Sequence, residues 1–187
     1  IYGVVLPLLM EQWNLSPYVA GLLGSSALFG MMFGAMGFGM LSDRLGRKKT
    51  ILMCVVLFSL TTVINGFATT PWQFGILRFI AGLGIGGVMP NVVSLMSEYS
   101  PKKSRSTLVA LMFSGYAVGG MMSAGLGIWI VPNFGWEIMF YLAAVPLLLL
   151  PLMMKFLPES VAFLMAQKRE GEARSILQKV APVHDIS

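Results

Sequence analysis

Cysteine and histidine are nearly missing from this chain, with one of each among 187 residues. Cys54 lies inside an apolar run, so no disulfide can form within the chain and no Cys-rich metal site exists. His184 stands alone in a polar tail, which excludes a histidine-based metal or catalytic cluster. Charge is scarce as well: 11% of residues are charged, against about 25% in an ordinary soluble domain. No acid falls in the interior of any long apolar segment. No nucleophile–base pair is visible in or near those segments, so an enzyme is not expected and no cofactor is implied. A starting Met and a signal peptide are also lacking. The opening run from Ile1 to Met10 reads as the second half of a membrane helix whose beginning has been cut away.

What is present is apolar surface, at 56% of residues, with 21 Gly and 15 Met. A soluble fold would have to hide several all-round hydrophobic helices in one small core. A bilayer needs about 20 apolar residues per helical crossing. The chain offers such runs at about 18–41, 49–68, 72–96, 106–131 and 136–157, after the partial one at 1–10. An all-α membrane bundle over 1–157 is expected, followed by a polar, amphipathic cytoplasmic segment over 158–187, interrupted at Gly171. Ser16-Pro17 supplies a cap and a first-turn proline for the second span. The net charge of +5 does not point to nucleic acid, because the cations flank membrane spans.

Their placement sets the topology. Of 13 Lys and Arg, all but Arg78 fall in or beside alternate loops, while the outer turns hold only Glu11 and Glu137. Cations mark the cytoplasmic side, so both ends of the bundle lie inside. The densest cationic loop, Gly39 to Lys49, joins the second and third spans. An orienting charge explains its cations, but not its order. Asp43 follows Gly39 by four residues, then come Arg44, Gly46, Arg47 and Lys48. Asp43 can accept from the arginines or cap a helix. Glu98 and Arg105 form a second acid–base set in the next cytoplasmic loop, and together these residues can latch helix ends by ion pairs.

Arg78 is the one cation within a span. Placing it at mid-depth costs at least about 2.5–3.5 kcal/mol, and such residues usually face a bundle interior or a cavity. Two readings stand: a substrate or coupling network, or a side chain snorkelling to the outer interface. Gly82 and Gly86 lie one turn apart behind it and favour close packing; Gly115 and Gly119 read the same way. Tyr116, Asn91, Asn65 and Tyr2 can offer hydrogen bonds to a ligand.

The sequence Gly39-x-x-x-Asp43-Arg44-x-Gly46-Arg47-Lys48, with Arg78 and its glycines, resembles the signatures of the major facilitator superfamily. Glu98-Tyr-Ser-Pro101 with Arg105, and Pro158-Glu159-Ser160, are similar to a group holding sugar porters and aromatic-acid:proton symporters. The run Gly82 to Asn91 and the opening Ile1–Pro7 look most like the aromatic-acid branch. Gly120 stands where the antiporter signature of the fifth span has Pro, which favours symport. The resemblance implies the amino-terminal six-helix bundle of a 12-helix fold in the plasma (inner) membrane, with the second half missing from this chain. It implies proton-coupled uptake of a small organic anion, an aromatic carboxylate, by alternating access. Arg78, Asn91 and Tyr116 would serve the substrate or coupling network. Gly39, Asp43, Arg44, Gly46, Arg47, Lys48, Glu98 and Arg105 would serve the conformational latch. A sugar or other solute porter, or a non-transporting sensor derived from one, are the alternatives.

Overall fold

The computed structural model describes residues 2–101, 103–169, 171, 172 and 176. The helices are α1 (Tyr2–Gln12), α2 (Pro17–Leu45), α3 (Arg47–Asn65), α4 (Pro71–Tyr99), α5 (Arg105–Phe134), α6 (Glu137–Phe156) and α7 (Val161–Ala166). Five of them, α2 to α6, are long and apolar enough to cross a membrane. The 11 residues of α1 reach only about 16 Å at 1.5 Å per residue. Ile1, Lys102 and much of the expected amphipathic tail, His184 included, lie outside the described residues.

Local chemistry sets the helix ends. The Ser16 hydroxyl accepts from the Val19 amide, and Pro17 opens α2. Thr70 and Pro71 open α4 in the same way. One residue, Gly46, turns the chain from α2 into α3 at φ +94°, a conformation that a side chain strongly disfavours. The sixth span is not one unbroken helix. A 3₁₀ turn at Leu142–Ala144 and a break at Leu149 divide it. Pro146 and Pro151 lack amide hydrogens and crowd the carbonyl four residues back, so the ladder is interrupted there.

Packing centres on α4. A Cβ on Gly82 or Gly86 would strike the Ala27 or Met31 carbonyl of α2. A Cβ on Gly30 or Gly34 would strike the Phe79 or Leu83 carbonyl of α4. The two backbones are therefore in direct contact along a seam of four glycines. On another face of α4, a Cβ on Gly84 would lie 2.8 Å from the Cys54 carbonyl and the Phe58 amide of α3. The expectation of packing is met at Gly82 and Gly86. Within this half it is not met at Gly115 and Gly119, where an added Cβ would find nothing within 4 Å. Along α5 only Gly127 and Ile130 are buried by the other helices described.

The end of the bundle opposite the α2–α3 turn is closed by rings. Phe74, fully buried, meets Trp13, Trp136 and Phe140 edge-on at centroid distances of 5.6, 6.3 and 5.5 Å. The Trp136 indole donates to Gln12 Oε1 at 2.9 Å and ties the start of α6 to the end of α1. Val5 and Leu9 of α1 complete this cluster.

Candidate functional site

A cavity of about 910 Å³ opens between the helices. Most of its wall is apolar: Leu28, Met31, Phe58, Ile85, Met122 and Phe140 are among the residues on it. Polar groups come from Tyr2 of α1, Thr62 and Asn65 of α3, Arg78 of α4, and Tyr116 and Ser123 of α5. Among the described residues the wall holds one charge, Arg78, and no acid.

The position of Arg78 follows from its neighbours. Its guanidinium carbon lies 4.1 Å from the Tyr2 ring centroid and 6.0 Å from that of Phe74. Tyr2 is itself fixed: its hydroxyl donates to the Ala20 carbonyl at 2.6 Å. Its ring packs on Gly24, where an added Cβ would come within 3.1 Å of it. The Arg78 Nε is buried and has no hydrogen-bond partner among the described residues. A cation held by ring faces and short of acceptors is poised for an anion. At an effective dielectric of 20, a carboxylate about 4 Å away gains about 4 kcal/mol of attraction. Arg78 thus lies on the cavity wall.

The other sequence candidates divide. Tyr116 lines the same cavity, although it is 66% exposed. Asn91 does not line it: the residue is buried and its amide nitrogen donates to the Gly87 carbonyl one turn back, at 2.8 Å. Three buried polar atoms near the cavity have no partner among the described residues, namely Arg78 Nε, Asn65 Oδ1 and Ser123 Oγ. Sequence reasoning misses Ser123, because a lone serine in a membrane helix carries no signal of its own.

The latch candidates also divide. Arg47 pairs with Glu98 at 2.8 Å and donates to Ser160 Oγ at 2.6 Å. The Ser160 hydroxyl in turn reaches Glu98 Oε2 at 2.7 Å. Glu159 Oε1 accepts from the Lys48 amide at 3.0 Å, and the Tyr99 hydroxyl donates to the Glu159 carbonyl at 2.6 Å. This knot fastens the start of α3, the end of α4 and the entry to α7. Two expectations change. Glu98 pairs with Arg47 rather than Arg105, which is exposed. The free amides at the start of α3 are met by Glu159, not Asp43, because α2 continues through Asp43 to Leu45. Asp43 and Arg44 are exposed and belong to no ion pair among the described residues. Gly39 has open space beside it. At Gly46 an added Cβ would collide with the Glu159 carboxylate, so the turn and the knot need each other.

Comparison with known proteins places this architecture. The sugar (and other) transporter family matches residues 11–187. The chain belongs to that family, within the major facilitator superfamily, and corresponds to the amino-terminal half of its fold. It is a multi-pass membrane protein of a transporter family, not an enzyme. It is 56% identical to the benzoate transport protein of Acinetobacter baylyi, over 97% of this chain and 40% of that protein. It is 43% identical to the gentisate transporter of Corynebacterium glutamicum, over 87% of this chain and 37% of that one. Among solved structures it resembles the partially occluded inward open xylose transporter XylE of E. coli. There the TM-score is 0.86 and the identity 25%, over 96% of this chain and 50% of that one. The chain therefore spans about 40% of the length of the curated relatives it matches.

Proposed function

We propose that the full-length protein takes up a small aromatic carboxylate across the inner membrane together with a proton, by alternating access between two six-helix halves. The observation that carries this reading is Arg78, the single charge on an apolar cavity wall among the described residues, with an unpartnered Nε. An apolar cavity takes a ring, and a lone guanidinium takes a carboxylate. The relatives named for benzoate, gentisate and 4-hydroxybenzoate transport point the same way. A proton-carrying acid is not among the described residues lining the cavity, so it belongs to another part of the full-length protein. The cytoplasmic side is that of the Arg47–Glu98 knot, by the loop cations. Asp43, Arg44 and Arg105, exposed beside that knot, are free to engage the second half as the latch.

Uptake into proteoliposomes tests the proposal. The full-length protein is expected to accumulate labelled benzoate under an inward proton gradient and to lose that accumulation when a protonophore is added. Competition by glucose-like solutes but not by benzoate would favour the sugar-porter alternative. No accumulation of any organic acid would leave a non-transporting membrane protein.

A further inference from the structure

The cavity has a second polar station that a simple benzoate would leave unused. Asn65, the last residue of α3, is on the cavity wall and only 2% exposed. Its Oδ1 has no hydrogen-bond partner among the described residues. Buried amides are nearly always paired, because an unpaired one keeps its full desolvation penalty. Asn91, the buried amide of α4, obeys that rule through Gly87. Asn65 does not: the nearby Tyr141 hydroxyl is directed to the Gly66 carbonyl at 3.5 Å instead. Thr62, one turn earlier, gives its hydroxyl proton to the Phe58 carbonyl at 2.5 Å. Met139, Phe140 and Leu142, on the same wall, are apolar.

Resting on the aromatic-carboxylate reading, we propose that Asn65 determines specificity by receiving a ring hydroxyl of the substrate. The preferred substrate class is then hydroxylated aromatic carboxylates. A phenolic hydroxyl donates to the amide oxygen and accepts from the amide nitrogen, so either orientation of the amide pairs with it. Thr62 Oγ1 keeps lone pairs for a second contact. The two stations are close in depth. Gly84 and Gly87 of α4 lie against Cys54 and Phe58 of the antiparallel α3, so Arg78 is nearly level with Thr62 and Asn65 lies about one turn further along, about 5 Å at 1.5 Å per residue. A site built to bond a hydroxyl rejects the analogue lacking it far better than an apolar site rejects an added one.

The test compares benzoate with 4-hydroxybenzoate on the full-length protein in proteoliposomes, by competition and by direct uptake. Wild type is expected to bind 4-hydroxybenzoate about tenfold or more tightly than benzoate. Asn65→Leu, nearly the same size, is expected to bring that ratio close to one, chiefly by weakening 4-hydroxybenzoate. Asn65→Ser, a smaller change for folding, is expected to give an intermediate ratio. A wild-type ratio near one, or a ratio untouched by both variants, overturns the proposal. Entry of neither compound into wild-type vesicles would instead overturn the aromatic-carboxylate reading itself.

Discussion

At the residue scale, two side chains on the cavity wall hold each other. Arg78 supplies charge, and Tyr2 supplies the face on which the guanidinium lies. Arg78→Ala is expected to abolish uptake while the protein still reaches the membrane; wild-type uptake in that variant would reduce Arg78 to a packing residue. Arg78→Lys keeps the charge but loses the planar fork and its stacking, so a large part of the loss should remain. Tyr2→Phe keeps the ring and frees only the Ala20 carbonyl, so its effect should be small. Tyr2→Ala removes a cation–π contact of about 0.5–2 kcal/mol. It should weaken substrate affinity several-fold with little change in turnover. A Tyr2→Ala protein with normal affinity would show that Arg78 positions itself without the ring.

At the scale of the helix, glycines that look alike in sequence do different things. Gly82 and Gly86 abut the backbone of α2, whereas Gly115 and Gly119 face open space. Gly82→Val must push two backbones apart, so it should reach or exceed the upper end of the about 1–3 kcal/mol typical of overpacking. Thermal unfolding in detergent should show this as a clear drop in melting temperature. Gly115→Ala should leave that temperature unchanged, and equal effects at the two sites would contradict the packing described.

The same contrast shows what sequence can carry. Helix positions follow from hydropathy alone: each apolar run overlaps a helix, or for the last run a broken one, with ends that differ by up to four residues. The role of a glycine depends on which helix passes beside it, and no local pattern contains that. Asn65 and Asn91 show the same limit. Both read as polar residues in a span, and only the fold shows one satisfied within its own turn and the other buried at a cavity wall without a partner. The break in α6 is half legible: its prolines are visible, but whether neighbours hold the helix straight is not.

At the scale of the whole molecule, residues 47, 98, 159 and 160 come together from three places in the chain. The contact of Arg47 with Ser160 bridges 113 positions, whereas Arg105 stands close to Glu98 in sequence and is the nearer partner by that measure alone. Glu98→Ala should leave Arg47 partly buried without its carboxylate. Bonds to charged groups contribute about 1.5–3 kcal/mol. Each member of the pair is about one-fifth exposed, so the lower part of that range is expected in an unfolding measurement. Asp43→Asn should behave oppositely, leaving stability intact because Asp43 is exposed. Exchange rates should fall while substrate affinity holds, and a variant with normal turnover and poor affinity would contradict the latch.

The glycine seam between α2 and α4 also bears on the order in which the chain is built. Synthesis delivers α2 and α3 before α4, so Gly30 and Gly34 at first lack the α4 backbone that covers them. That seam closes only once α4 has left the ribosome. A nascent chain halted just before Pro71 is therefore a vulnerable species. It should be cleared by membrane proteases faster than one halted after Tyr99, and equal lifetimes in a pulse–chase would show that the hairpin matures alone.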